Sequence, residues 1–348
     1  MFTKAVIQTD HKQEPFIGEL SLPNPDFNQV IVKLYSSGIC HSQLHQIAKP
    51  GNRPQVFGHE GLGVVTHIGK NVDHVKEGDL VIVTWVPRNP IKGRPNVIPC
   101  GATYNDELVH GQVFTWAEDA LIFADYVVKI PDDSPKDLGC IVGCAVLTGA
   151  GAVMNTAKVK RGNTVAVFGA GGVGLSAIKM ASILEASKVI VVDIDQAKLD
   201  FAKKFGATDL INASEYDPVE KIIEITEGGV DFSFDAIGIK ITNEQILPIT
   251  VSGGPGADNH GGMAVLIGMP GNEMTIDPGH FMYNQRIYRG SLGATYPQKD
   301  FEMFFQWHKE GIFPLDQFVT KKYKLEDFNQ ACKDLREHKI FGRSIIEF

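Results

Sequence analysis

A short glycine-rich run is the feature that most constrains how this chain folds. Residues Gly169 to Gly174, Gly-Ala-Gly-Gly-Val-Gly, lie between a strand pattern at 164–168 and a helix pattern at 175–184. In such a setting the first glycine permits a tight turn, the second lets the backbone approach a pyrophosphate, and the third lets helix and strand pack closely. Unpaired N–H groups at a helix N-terminus favour an anion. The run therefore predicts a strand–turn–helix that binds a dinucleotide.

Strand and helix patterns alternate around and beyond this run. In order they are strand 163–168, helix 172–185, strand 188–193, helix 195–205, strand 209–212, helix 217–227 and strand 230–236. Alternation at this spacing predicts βαβ units and a parallel sheet. The segment Val189–Val192 is continuously apolar, which is typical of a parallel strand buried on both faces. Met263–Ile267 is a further apolar strand pattern, and Met274–Asp277 is interpreted as an edge strand.

The first 145 residues have a different pattern of secondary-structure elements. Short β patterns are separated there by clusters of Gly, Pro, Asn and Asp, which indicates a compact antiparallel domain. After about residue 292 come helix patterns near 298–310 and 325–337 and a last strand, Ser344–Phe348, which we assign to the first domain's sheet. The fold class is therefore α/β with two domains: residues 1–145 with 292–348, and residues 146–291.

Composition narrows the possible partners. The 348 residues are 43% hydrophobic and carry a net charge of −8, which argues against binding to nucleic acid or to an anionic membrane surface. No apolar run is long enough to span a bilayer, and the N-terminus lacks the pattern of a signal peptide. We therefore expect a cytoplasmic protein. Five cysteines at irregular spacing do not suggest a disulfide framework, and in a reducing compartment some can be metal ligands.

An aspartate indicates which dinucleotide is bound. Asp193 ends the second strand of the predicted parallel sheet, 19 residues after Gly174. A carboxylate at this point can accept hydrogen bonds from the adenosine ribose hydroxyls, whereas a 2′-phosphate would be repelled by it. Asp195 adds to that repulsion, and the nearest cation is Lys198. The sequence therefore favours NAD over NADP.

Three segments carry side chains suited to a metal. They contain Cys40 and His41, then His59 and Glu60, and finally Cys144. Cysteine and histidine are common zinc ligands, and a set of three leaves a coordination position open for chemistry. Each residue alone is weak evidence, because a single histidine is more often a hydrogen-bonded structural residue.

The combination and order of these motifs resemble the zinc-dependent medium-chain alcohol dehydrogenases. The motifs are Gly38-Ile39-Cys40-His41-Ser42, Gly58-His59-Glu60-Gly61 with Gly63, Asp79 within 77–81, Gly143-Cys144 with Thr148-Gly149, Gly169–Gly174, Asp231–Gly238 and Gly342-Arg343. The resemblance covers nearly the whole chain. It implies a GroES-like antiparallel catalytic domain, a Rossmann domain, and hydride transfer between an alcohol and NAD, with an aldehyde or ketone as substrate in reverse.

The resemblance also implies roles for individual residues. Cys40, His59 and Cys144 would bind one catalytic zinc, with Glu60 behind it; Ser42 would contact the alcohol oxygen, and His45 would end a proton relay at the surface. The implied cofactor contacts are His41, Thr148, Gly169, Gly171, Gly172, Val173, Gly174, Asp193, Lys198, Ile237, Gly268, Met269 and Arg343. The implied substrate pocket contains Ser42, Trp85, Trp116 and Leu292; the alternative for both tryptophans is an ordinary aromatic core.

Two departures from the family pattern have consequences. Many relatives hold a second, structural zinc with four close cysteines, whereas the stretch from Pro87 to Gln112 has only Cys100, so we expect one zinc per subunit. Relatives commonly have an acidic residue at the position of Gln43. An amide can still accept the hydrogen bond of the zinc-ligand histidine, but it supplies no charge. We therefore expect a slightly more electropositive zinc that is held more weakly; the alternative is that Glu60 or another group supplies the missing charge.

Several alternatives remain open from the sequence. The chain could be a zinc-free reductase of the quinone or enoyl type, an aldehyde dismutase that retains its NAD, or a dinucleotide-binding protein without catalysis. The glycine-rich segment 252–262 is either a surface connection or a lid or subunit-contact loop. An apolar pocket would suit a primary alcohol or aldehyde, and the resemblance implies a homodimer or homotetramer.

Overall fold

The computed structural model describes residues 1–10, 13–49, 51, 53–89, 91–93 and 98–348. The strands are β1 (Phe2–Gln8), β2 (Phe16–Ser21), β3 (Gln29–Ile39), β4 (Gln55–Val56), β5 (Glu60–Ile68), β6 (Leu80–Thr84), β7 (Thr103–Tyr104), β8 (Glu107–Leu108), β9 (Asp119–Phe123), β10 (Val127–Lys129), β11 (Thr164–Phe168), β12 (Lys188–Asp193), β13 (Asp209–Asn212), β14 (Phe232–Asp235), β15 (Met263–Leu266), β16 (Ile287–Gly290), β17 (Val319–Lys324) and β18 (Arg343–Glu347).

The α-helices are α1 (His41–Ala48), α2 (Ala145–Gly151), α3 (Gly172–Ile183), α4 (Gln196–Ala202), α5 (Pro218–Thr226), α6 (Lys240–Gln245), α7 (Gly279–Met282), α8 (Pro297–Lys309), α9 (Leu315–Phe318) and α10 (Phe328–Arg336). Short 3₁₀ turns occupy Ala124–Tyr126, Gly139–Gly143, Lys203–Phe205 and Leu325–Asp327, and a π-helical turn, Ala152–Ala157, continues α2. Within the described part of the chain, no helix combines the length and apolar content needed to cross a membrane.

The first compact unit comprises residues 1–145 and 296–348. One of its sheets has the order β4-β1-β2-β7-β8, and the other has the order β10-β6-β5-β3-β18-β17, with β9 also pairing with β3. The pairings are antiparallel except β17 with β18. The predicted return of the last strand to this sheet is confirmed, because β18 pairs with the C-terminal half of β3.

The second compact unit comprises residues 146–295 and contains a parallel sheet of order β13-β12-β11-β14-β15-β16. The chain therefore builds outward from β11 in one direction and then from β14 in the other. This is the doubly wound order in which a ligand binds at the carboxyl ends of the strands where the order reverses. Here that point lies between β11 and β14, and the predicted glycine run follows β11.

The predicted edge strand at Met274–Asp277 is wrong. These residues have no regular structure, and the N–H of Thr275 donates to the Glu244 carboxylate, 2.7 Å away, instead of joining a strand ladder. The flanking Gly271 and Pro278 and the exposure of most of the segment leave it little apolar surface with which to pair. The edge of this sheet is β16, which pairs only with β15 in the described chain.

Candidate active site

Three chain segments bring four metal-binding side chains together in the first unit. Cys40 follows β3 and caps the N-terminus of α1, His59 directly precedes β5, and Cys144 follows a 3₁₀ turn. The C-terminal end of β3 pairs with the start of β5, so Cys40 and His59 are neighbours by register. One donor atom each from Cys40, His59, Glu60 and Cys144 lies within 4.8 Å of the others. Two sulfurs, an imidazole nitrogen and a carboxylate oxygen suit zinc.

The two thiols have opposed pKa shifts. The pKa of Cys40 is lowered well below its usual value, chiefly because the Cys144 thiol donates a hydrogen bond to it and also because the Arg343 guanidinium is near. The pKa of Cys144 is raised well above its usual value by that same hydrogen bond and by burial. His59 Nε2 lies 3.2 Å from Cys144 Sγ. One thiolate therefore forms readily here, and a cation is needed to stabilise the second.

Glu60 and Arg343 form a buried ion pair beside these donors. Arg343 begins β18, is 5% exposed, and its Nη2 donates to Glu60 Oε1 at 2.6 Å. Burial raises the pKa of Glu60 to about 7, against the opposing effect of the Arg343 charge. The other carboxylate oxygen, Oε2, is buried without a hydrogen-bond partner. A side chain at Gly38 would collide with this carboxylate, which explains the glycine.

Gln43 links two members of the donor set. Its Oε1 accepts a hydrogen bond from the Cys40 backbone N–H at 2.9 Å, and its Nε2 lies 2.5 Å from His59 Nδ1. Nε2 also donates to Ser42 Oγ at 3.3 Å. The structure corrects the prediction that this amide accepts a hydrogen bond from the ring of His59. The Cys40 backbone N–H donates to the amide oxygen of Gln43, so the NH₂ end of the amide faces the His59 ring.

The remaining predicted residues of this region lie on α1. Ser42 is half-buried, and His45 follows one helical turn later and is exposed. Residues three apart lie on the same side of a helix, so this pair runs from beside the donor set toward solvent. His41 is exposed, and its ring stacks near that of His338, with centroids 6.5 Å apart.

The predicted pocket residues have three different environments. Trp85 follows β6, is half-buried, and its Nε1 is buried without a hydrogen-bond partner. Trp116 is 1% exposed, packs near Phe57, and donates from Nε1 to the Gly38 carbonyl at 3.2 Å. The structure therefore places Trp116 in the aromatic core instead of a pocket, because its polar edge and its ring faces are already occupied. Leu292 belongs to the second unit and is 77% exposed.

The glycine run of the second unit has the geometry of a dinucleotide loop. Gly169 has φ +96°, which only glycine adopts readily, and a side chain at Gly174 would collide with the Gly169 carbonyl. Gly171 has open space above it and caps α3 without a side chain. Asp193, at the end of β12, accepts hydrogen bonds from the N–H groups of Ala170 at 2.8 Å and Asp195 at 3.1 Å.

A buried aspartate that the sequence interpretation left without a role shapes the neighbouring loop. Asp235 ends β14 and is fully buried, and burial raises its pKa. Its carboxylate accepts hydrogen bonds from the N–H groups of Ile237 at 2.8 Å and Gly238 at 2.9 Å. Its position at the carboxyl end of a parallel strand, inside the Asp231–Gly238 motif, is the signal that could have identified it.

The structure brings together most of the remaining predicted cofactor residues within the second unit. Ile237 lies against Gly169, and Gly238 lies against Gly268 and Met269. Close packing of Gly149 on Val173 sets α2 against α3, beside Thr148, whose Oγ1 is buried without a partner. Gly172 is the first residue of α3, and Lys198 is half-buried on α4.

Comparisons with known proteins agree with this division of the chain. The family described as "Alcohol dehydrogenase GroES-like domain" matches residues 26–132, and "Zinc-binding dehydrogenase" matches residues 172–310. S-(hydroxymethyl)glutathione dehydrogenase of Komagataella pastoris is 31% identical, over 95% of this chain and 94% of that protein. The alcohol dehydrogenase zinc-binding domain protein of Burkholderia ambifaria has TM-score 0.89 at 29% identity, covering 100% and 99% of the two chains. Benzyl alcohol dehydrogenase of Acinetobacter calcoaceticus has TM-score 0.88 at 29% identity and the same coverage.

Proposed function

The chain belongs to the zinc-type medium-chain alcohol dehydrogenase family, and from this we infer that it is an NAD-linked oxidoreductase that interconverts a small alcohol and its aldehyde or ketone. The observation that carries the inference is the convergence of Cys40, His59 and Cys144, from three distant segments, on one point. A zinc-free reductase has no need of such a set. The family also accounts for the dinucleotide loop that follows β11.

Zinc fits the donor set on chemical grounds. Two thiols with opposed pKa shifts, an imidazole and an unpartnered carboxylate oxygen form a partly buried group that a divalent cation would neutralise. Cys40, His59 and Cys144 would hold the ion, with Glu60 behind them. When bound, zinc supplies Lewis-acid activation of the alcohol hydroxyl or of the carbonyl. Within the Pro87–Gln112 stretch, the Cys100 thiol is buried in the core and its pKa is raised by burial, which suits packing better than ligation.

The side chains of α1 would handle the proton of the alcohol. Ser42 Oγ can accept that proton and pass it on, because a hydroxyl both donates and accepts. His45 is exposed on the same side of the helix, where an imidazole can pass that proton to water. Trp85, half-buried beyond β6, would limit the size of the substrate.

NAD fits the second unit. Gly169–Gly174 and the N-terminus of α3 would receive the pyrophosphate, Asp193 the adenosine ribose, and Thr148 and Val173 the nicotinamide end. NAD supplies the hydride acceptor. The half-buried Asp193 carboxylate would repel a 2′-phosphate, so we propose a preference for NAD over NADP. The resemblance also implies that Arg343 contacts the pyrophosphate; its Nη2 donates to Glu60, and its Nε has no hydrogen-bond partner in the described part of the chain.

The substrate class is a primary alcohol or aldehyde with an aliphatic or aryl group. The aromatic side chain of Trp85 supports an apolar pocket. The likeness to a benzyl alcohol dehydrogenase makes aryl alcohols the first compounds to test.

We also propose a homodimer or homotetramer in the cytoplasm. The strand β16 is an open edge, and exposed apolar side chains, Phe281, Met282, Tyr283 and Ile287, lie along or just before it. The glycine-rich segment 252–262 lies beside the same region, because Gly253 and Gly261 donate to the carbonyls of Asn284 and Gln285. This favours its role as a subunit-contact loop. The cysteines are free thiols, which suits a reducing compartment.

The test is a panel of aliphatic and aryl alcohols with NAD⁺ or NADP⁺, before and after treatment with a chelator. We expect nicotinamide reduction with NAD⁺, its loss on chelation, and its recovery when zinc is restored. Turnover that survives complete zinc removal would contradict the proposal. A higher kcat/KM with NADP⁺ than with NAD⁺ would contradict only the proposed role of Asp193 and would leave the rest of the proposal standing.

A further inference from the structure

Gln43 is buried between the backbone N–H of Cys40, which needs a hydrogen-bond acceptor, and Nδ1 of His59. The side chain is 1% exposed, with Oε1 on the Cys40 N–H at 2.9 Å and Nε2 next to His59 Nδ1 at 2.5 Å. A backbone N–H can only donate a hydrogen bond. The amide therefore points its oxygen at Cys40, which satisfies an otherwise unpaired N–H at the start of α1.

This orientation determines which nitrogen of His59 carries the hydrogen. With an amide N–H facing it, Nδ1 must accept, and a neutral ring then carries its hydrogen on Nε2. Nε2 is the nitrogen that faces the other donors, 3.2 Å from Cys144 Sγ. A metal ligand must present a lone pair, so ligation through Nε2 needs the hydrogen on Nδ1 instead. Two N–H groups would then face each other across 2.5 Å.

We propose that Gln43 is a positioning residue that opposes the zinc-binding form of His59, so that this enzyme holds its zinc weakly and exchanges it readily. The inference rests on the proposed function. For His59 to bind the metal, the Gln43 amide must turn over. Turning it over places its NH₂ group against the Cys40 N–H. Because the side chain is buried, no solvent relieves either arrangement.

A carboxylate would remove this conflict, because both of its oxygens accept. Gln43→Glu keeps the side-chain length and lets one oxygen face the Cys40 N–H and the other a His59 Nδ1–H. We expect zinc release to a chromogenic chelator to slow by about 10–100-fold in this variant, the usual scale for a group that orients a metal ligand. Release as fast as in the unmodified enzyme, or faster, would overturn the proposal.

Gln46→Glu is the matched control. Gln46 lies on the same helix one turn later, and its Nε2 donates to the Val56 carbonyl at 2.9 Å, with no bond to His59. The substitution Gln46→Glu introduces the same negative charge as Gln43→Glu. We expect zinc release from this control variant to stay within about twofold of the rate of the unmodified enzyme. An equal slowing in both variants would overturn the proposal, because charge on the helix would then be the cause. Thermal melting of each zinc-loaded variant verifies folding.

A second measurement needs no variant at residue 43. In zinc-free protein labelled with ¹⁵N-histidine, we expect hydrogen on Nε2 and an accepting Nδ1 in His59, whose signals are assigned by their loss in His59→Gln. Hydrogen on Nδ1 would overturn the proposal. Zinc titration of the chelator-treated enzyme separates this from the proposed function: failure to bind zinc even in excess would reject that function, whereas zinc binding with equal release rates in the unmodified and Gln43→Glu enzymes rejects only the role of Gln43.

Discussion

Trp85 and Trp116 show how differently one residue type is used within the same unit. Trp116 fills a core position, and its indole N–H is satisfied by the Gly38 carbonyl just before the Cys40 segment. Trp85 is half-buried, and its indole N–H is unsatisfied in the described chain. The first environment supports the fold of the metal site, and the second leaves a surface available to a substrate.

Alanine substitutions should separate these roles. Trp85→Ala is expected to move the kcat/KM preference toward bulkier alcohols with little loss of stability. Trp116→Ala is expected to lower the free energy of unfolding by about 3–5 kcal/mol, as for other buried aromatic truncations. Alcohol-panel kinetics and urea unfolding measure the two effects. An unchanged substrate profile in Trp85→Ala would remove that residue from the pocket.

At the scale of elements, the C-terminal segment completes the first unit. Helix α10 is tied to β17 through Asp334, which is 3% exposed and accepts hydrogen bonds from Tyr323 at 2.6 Å, from Gln330 at 2.8 Å and from Lys321. Strand β17 in turn pairs with β18, which carries Arg343 to Glu60. The amphipathic pattern of α10 was predictable, but its buried carboxylate was not, because two of its three partners, Tyr323 and Lys321, lie 11 and 13 residues earlier in the chain.

The stability supplied by Asp334 should depend on pH in a definite direction. Hydrogen bonds from Lys321 and then Tyr323 hold the pKa of this carboxyl well below its usual range. The contribution is therefore fully present above the unfolded-state pKa, about 3.9, and is lost as pH falls through the folded-state pKa. Asp334→Asn is expected to lower the urea midpoint equally at pH 7 and pH 5 and by progressively less below about pH 4.

The exposed pair of Asp200 and Lys203 on the second unit provides the control for this measurement. Asp200→Asn removes an ion pair whose side chains are both more than half exposed, and such pairs contribute little. A smaller effect of Asp334→Asn than of Asp200→Asn at pH 7, or a gap that widens as the pH falls, would contradict the assignment.

At the scale of the whole molecule, the candidate metal site and the proposed subunit contact lie in different units. The four donors of the candidate zinc site and Arg343 belong to residues 1–145 and 296–348, whereas the open strand edge belongs to residues 146–295. Disturbing the edge should therefore alter assembly without removing the metal ligands.

Lysine substitutions at the edge test this separation. Tyr283→Lys with Ile287→Lys places charge at the open edge, and light scattering is expected to show the mass of a single chain. Zinc content should remain at one ion per chain. Tyr216→Lys, an exposed aromatic residue near the opposite edge strand β13, serves as the control and should leave the oligomer intact. A monomeric unmodified enzyme, or an edge variant that stays assembled, would contradict the proposed interface.

The sequence by itself determined the parallel alternation around Gly169–Gly174 and the return of the last strand to the first sheet. It also supplied the cysteine and histidine side chains of the candidate metal site. These features depend on local periodicity and residue type, which neighbouring residues specify. The tertiary structure decided what depends on contacts between distant residues: the core position of Trp116, the burial of Glu60 against Arg343, and β16 as the sheet edge instead of Met274–Asp277. It also decided which end of the Gln43 amide faces His59, because a single backbone N–H at Cys40 occupies the oxygen.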